Sequence, residues 1–196
     1  MRGKPLMVIC VLFALALSVV PSAMAADGPG GVAYEEPTPQ PAAPAGADVA
    51  QPTVPGVAAK LLDTGLAAAP DGAPDSVKQA IWAANAIIGR PYRYGGGHAR
   101  GFVDRGYDCS GTVSFALHGG DLLDSPLDST SFLRWGAAGA GQWITVYTNP
   151  GHAYAVIAGL RLDTSAAGDP SGGKGPRWRP VLRSSRGFKA RHPVGL

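Results

Sequence analysis

The sequence predicts an α+β domain on three observations. Residues 76–88 carry helical periodicity, a second helical run begins at Cys109, and the pattern changes to period two after Trp143.

Ser76 and Gln79 have capping-box spacing, and Val77, Ile81, Ala84 and Ile88 fall on one face, which predicts a helix over 76–88. Gly89 ends it, and Pro91-Tyr92-Arg93-Tyr94-Gly95-Gly96-Gly97 reads as an extended approach to the next element. A second helix is expected from Cys109 to His118, stopped by Gly119-Gly120, with Val113, Ala116 and Leu117 as its core face. A short helix around Ser129–Trp135 precedes the β-rich part. Strands are predicted at Trp143–Tyr147 and His152–Ala158, separated by the turn chemistry of Asn149-Pro150-Gly151. A third strand, Leu160–Thr164, follows a tight turn at Ala158-Gly159. Helices first and an antiparallel sheet second is the α+β order.

The segments around this domain differ in composition. Residues 1–25 run basic, apolar and then small, ending Pro21-Ser22-Ala23-Met24-Ala25, the order of a cleaved export signal. Their apolar run is shorter than the roughly 20 residues a membrane span needs, so no stable span is expected after cleavage. Residues 26–74 are rich in Pro, Ala and Gly and read as a flexible tether, with a short helix expected at Val57–Ala69. Residues 75–196 suit one modest domain with a basic C-terminal extension from about residue 166. The net charge of +3 is mild and the basic residues of that extension are interleaved with Gly, Pro and Ser. They are expected to be solvated, with anionic wall polymers as the alternative contact; nucleic acid is not expected as a partner.

The chain has two cysteines, and Cys10 leaves with the export signal. Cys109 then has no partner in its own chain, so it is a candidate nucleophile, an intermolecular bridge or an inert buried thiol. A helix start favours the thiolate through its aligned N–H groups. The proton still needs a base. His152 opens a strand directly after a turn, on a fixed element, and is the best candidate. His118 lies ~13 Å further along the helix axis at 1.5 Å per residue. His98 in a glycine-rich loop and His192 near the end are, like His118, expected to be solvated or structural.

Strand geometry also suggests what orients the imidazole. A two-residue turn at Ala158-Gly159 pairs His152 with Ser165 and Tyr154 with Asp163, which leaves His152 and Asp163 diagonal neighbours on one face. A turn one residue later preserves that shared face, whereas a three-residue loop substitutes Thr164. Asp163 is the expected third member and Thr164 the alternative. Together, Cys109 on a helix start, His152 on a strand start and a carboxylate on the next strand point to nucleophilic catalysis.

Pro91-Tyr92-Arg93-Tyr94-Gly95-Gly96, Tyr107-Asp108-Cys109-Ser110-Gly111 and Gly151-His152 at a strand hairpin together resemble the NlpC-type family of papain-like bacterial cell-wall cysteine peptidases, over roughly residues 76–165. The resemblance implies a papain-like fold, with the nucleophile helix packed on a small antiparallel sheet. It implies hydrolysis of an amide bond in peptidoglycan stem peptides, commonly the γ-D-glutamyl to diaminopimelate linkage, without metal or organic cofactor. By position, Cys109 is the nucleophile, His152 the base, and Tyr92, Asp108 and Ser110 line the substrate site. The family's third position is often a second histidine, where this strand offers Asp163, Thr164 and Ser165; residues 169–196 match no part of the motif set. An acyl or amide transferase on the same scaffold stays open, as does a wall-binding module without turnover.

Overall fold

The computed structural model describes residues 51–196. The expected export signal and residues 26–50 of the expected tether lie outside the described residues.

Residues 51–74 are not a tether but part of the fold. Strands β1 (Thr53–Val54), β2 (Lys60–Leu61) and β3 (Ala67–Pro70) form a three-stranded sheet in the order β1-β3-β2, with β1 parallel and β2 antiparallel to β3. The helix expected at Val57–Ala69 is absent. Gly65 takes a left-handed φ of 81° and closes the turn between β2 and β3, bonding Gly65 N–H to the Leu62 carbonyl. The alanines of β3 are wholly buried, so tertiary pairing overrides their helical propensity.

Helix α1 (Asp75–Ile87) buries Val77, Ile81 and Ala84 of the expected face together with Ala80 and Ile87, while Ile88, expected on that face, caps the helix end and is half-buried. The capping box does not form. Pro74 occupies the cap position without a side-chain bond, and Asp75 instead pairs with Lys78 at 2.8 Å in the first turn. Asn85, buried on α1, ties three elements together. Its Oδ1 accepts from Ala67 N–H at 2.9 Å and Trp178 Nε1 at 2.8 Å, and its Nδ2 donates to the Ala67 carbonyl at 2.9 Å.

Helix α2 (Cys109–Gly119) packs against α1, and the short expected helix before the sheet is a 3-10 turn over Ser131–Arg134. The main sheet contains β4 (Ala137–Ala138), β5 (Ile144–Asn149), β6 (His152–Ile157), β7 (Leu160–Leu162), β8 (Trp178–Arg179) and β9 (Lys189–His192). Its order is β4-β9-β5-β6-β7-β8, and every pairing is antiparallel. The α+β class is as predicted, with the Cys109 helix lying on β6, whose small Ala153 and Ala155 admit it into a common core.

The basic C-terminal segment is woven into this sheet. β9 inserts between β4 and β5, and β8 closes the opposite edge. Three arginines expected to be solvated are used internally. Arg179 is buried against Asp169 at 2.7 Å, Arg183 meets Asp163 at 3.1 Å, and Arg191 donates to the carbonyls of Trp135 and Gly136. Among the described residues no helix is long and apolar enough to cross a membrane.

Replacing Asn85 by Ala strands the Ala67 N–H and carbonyl and the Trp178 indole N–H inside the core. Each buried polar group left alone costs roughly 1–3 kcal/mol, so N85A is expected to lose about 3 kcal/mol or more of folding stability. Urea denaturation checks this; a loss below about 1 kcal/mol would remove Asn85 as the tie between β3, α1 and β8.

Candidate active site

The start of α2 is built by backbone. Tyr107 N–H donates to the Pro91 carbonyl at 3.1 Å and Arg93 N–H to the Tyr107 carbonyl at 3.2 Å, so the Tyr92 segment runs parallel to the chain entering the helix. The glycine-rich loop then folds over the helix start, where Asp108 N–H donates to the Gly96 carbonyl at 3.1 Å. The approach is so close that a Cβ on Gly111 would overlap the Gly96 carbonyl oxygen. Asp108 is the N-cap, its Oδ1 accepting from Gly111 N–H at 2.7 Å and its Oδ2 from Gly95 N–H at 3.0 Å. Cys109, the first residue of α2, is 9% exposed and sits where unpaired helical N–H groups favour an anion.

His152 and Asp163 are brought together by the β6–β7 hairpin. Ala158 (φ 47°) and Gly159 (φ 85°) both take left-handed conformations, as a tight two-residue hairpin turn requires. The register is the expected one, with Ile157 opposite Leu160, Val156 opposite Arg161 and Ala155 opposite Leu162. Asp163 is the next residue, its N–H held by the Arg177 carbonyl at 3.0 Å. Its Oδ1 meets His152 Nε2 at 2.9 Å. Thr164, the alternative third member, is buried beside the site, and the His152 ring bonds Asp163 instead.

Asp163 is completely buried, whereas the His152 side chain keeps 20% of its surface exposed. Besides His152, Oδ1 accepts from Ser165 N–H at 2.8 Å, while Oδ2 accepts from Arg183 Nη1 at 3.1 Å and lies 3.6 Å from Arg161 Nε. Burial disfavours the Asp163 carboxylate, but the bonds from His152 and Ser165 outweigh it and hold its pKa below the ordinary value. Burial also opposes a charged His152, yet the bonds to Asp163 and to Cys109 push its pKa up to about 9. The Cys109 thiol is raised by burial and lowered more strongly by bonds from the His152 ring and the Ala153 N–H, so it ends below the ordinary thiol. Since Nε2 is engaged by Asp163, Nδ1 is the ring nitrogen left to face sulfur. Both directions favour a thiolate–imidazolium pair over the neutral thiol and imidazole.

Two hollows flank this pair and share Tyr92, which is 43% exposed. One, of about 390 Å³, lies on the sulfur side and includes Cys109, Asp108, Ser110, His98 and Tyr94 in its lining. The other, of about 540 Å³, lies on the imidazole side and is bounded by His152, Thr164, Ser165 and Lys174. All three residues expected to line a substrate site, Tyr92, Asp108 and Ser110, face the first hollow. Asp108 is also heavily engaged, because His98 Nε2 (3.0 Å) and Ser110 Oγ (3.2 Å) add to its two backbone donors. His98 therefore braces Asp108, a structural placement for a histidine expected to be solvated or structural. Arg183 had no signal in the sequence as a partner of Asp163: the two are 20 positions apart and joined by a stretch without periodicity. Among the described residues no cluster of His, Cys, Asp or Glu is arranged to hold a metal ion.

No family model matches the sequence, and no curated protein does so either. Among solved structures the chain is similar to the peptidoglycan hydrolase RipB from Mycobacterium tuberculosis, with 22% identity and a TM-score of 0.45. The match covers 62% of this chain and 66% of that one, just under two thirds of its length.

The pKa directions give the pH dependence its sign. Asp163 is depressed, so the stability it contributes is present above the unfolded value near 3.8 and is lost as pH falls through its lower folded value. His152 is raised, so its contribution is present below about 6.5 and is lost as pH rises through about 9. Asp163→Asn is therefore expected to cost most between about pH 4 and about pH 6.5, roughly 3–5 kcal/mol for one partner removed from a buried pair, with the gap narrowing on both sides. Denaturation midpoints across pH check this, and a gap that does not change with pH would contradict it.

Proposed function

We propose that this chain is an exported cysteine peptidase that hydrolyses an amide bond in peptidoglycan stem peptides, of the γ-D-glutamyl to diaminopimelate kind, at the cell envelope. The observation that carries the chemistry is the convergence of Cys109, on a helix start, with His152 held by a fully buried Asp163. The substrate class rests on the Tyr92 and Asp108-Cys109-Ser110 motifs and their likeness to cell-wall cysteine peptidases, and export rests on residues 1–25.

In this reading the Cys109 thiolate attacks the carbonyl carbon of the amide, and the oxygen that gains charge is met by the Cys109 backbone N–H at the helix start. The imidazolium of His152 gives its proton to the departing nitrogen as the C–N bond breaks, leaving a thioester on Cys109. A water then loses its proton to the neutral imidazole, attacks the thioester carbonyl and releases the carboxylic acid with return of the thiolate. Asp163 keeps the imidazole in the orientation both transfers need. Both hollows beside the pair are open, so chain can extend from the reacting carbonyl in either direction past Tyr92.

Digestion of purified peptidoglycan tests this. The wild-type protein is expected to release peptides whose new carboxyl and amino ends, read by mass spectrometry, identify one amide bond. Cys109→Ala is expected to lower the rate by about a thousandfold or more. Full lytic activity in Cys109→Ala would overturn the mechanism, and tight wall binding without released peptide would overturn the peptidase reading.

A further inference from the structure

The base of the site is held from behind by a residue of the C-terminal segment. Arg183 Nη1 donates to Asp163 Oδ2 at 3.1 Å, and its guanidinium carbon lies 5.2 Å from the ring centres of both Tyr154 and Phe188. Two aromatic faces and a buried carboxylate give the planar guanidinium one defined position, and its side chain is only 17% exposed. Phe188 in turn sets its ring edge-on to His152 at 6.2 Å and to Tyr154 at 5.2 Å, so this segment covers the imidazole as well.

The two oxygens of Asp163 have separate work. Oδ1 holds His152, and Oδ2 faces arginines. Arg161, although buried beside Oδ2, stands 3.6 Å away and its Nε makes no hydrogen bond. Arg183 is therefore the side chain that donates to Oδ2 within hydrogen-bond distance among the described residues. Without it Oδ2 has no hydrogen-bond donor, and the tilt of the carboxylate plane is left to the Ser165 and His152 bonds on Oδ1 alone.

We propose that Arg183 is a positioning residue for the Cys109–His152 pair: by fixing Oδ2 of Asp163 it fixes the carboxylate plane and, through it, the imidazole. The proposal rests on the Cys109–His152 reading above and extends it to a segment that the sequence motifs do not reach. The charged and titratable groups around the imidazole and its carboxylate are Cys109 from the start of α2, Tyr92 and Lys174 across the hollow beside His152, Tyr154 from β6, Arg161 from β7 and Arg183 itself.

The test is the rate of Cys109 alkylation by iodoacetamide from about pH 4 to about pH 10, which needs no wall substrate and reads thiolate formation. Relative to wild type, Arg183→Met is expected to move the midpoint up by about one pH unit, making alkylation about tenfold slower on the acid limb. Arg183→Lys keeps the charge but not the planar donor and is expected to shift less. Arg186→Met, which removes the same charge from an exposed position in the same segment, is expected to follow wild type. An Arg183→Met protein that melts cooperatively yet matches the wild-type profile overturns the positioning role. A wild-type thiol that alkylates like an ordinary cysteine and ignores His152→Ala overturns the underlying Cys109–His152 reading as well.

Discussion

A single buried carboxylate organises the candidate site. Asp163 has no exposed surface, and such a group is tolerated only if both oxygens are met by donors or cations. The donors come from separate parts of the chain: His152 at the start of β6, Ser165 just past the hairpin, and Arg183 from the C-terminal segment, with Arg161 of β7 nearby. The demand for pairing therefore couples the β6–β7 hairpin to the last part of the chain. It also explains why Arg183 is not an optional decoration of the surface.

The Cys109 side is built by a different means. Cys109 is placed by backbone close approach, with the glycine loop lying on the start of α2 and Asp108 capping it. Behind it, α2 is held by α1 and by the small alanines of β6. Helix α1 is anchored in turn by Asn85, whose amide meets β3 and the indole of Trp178 in β8. The sulfur and the imidazole thus sit on elements fixed by two separate polar ties, and the bonds that Asp163 and the pair's own members supply favour the charged pair against the cost of burial.

Much of this was legible from local rules. The periodicity of α1, the helix start at Cys109 and the tight turn at Ala158-Gly159 each depend on neighbours in the sequence. The turn was enough to set the register that places Asp163 beside His152 and not Thr164. What escaped is non-local. β1, β8 and β9 are two to four residues long, in Pro- or Gly-rich surroundings, and are strands only because the sheet offers them an edge or a gap. The Ala-rich β3 reads as helix until its burial against α1 decides otherwise. The Ser76–Gln79 capping box failed because Pro74 already sets the helix entry. Arg183 could not be singled out among seven interleaved basic residues, since its partner is chosen by a fold the motif does not describe.

The central claim is that Cys109 and His152 exist as a thiolate–imidazolium pair whose charge is secured by Asp163. It is tested most directly by nitrogen NMR of the His152 ring across pH, in the wild-type protein and in Cys109→Ala. The account predicts a doubly protonated ring at neutral pH that loses its proton near 9, with the loss moving to lower pH once the sulfur is removed. A wild-type ring that is neutral at pH 7 and unaffected by Cys109→Ala would contradict it.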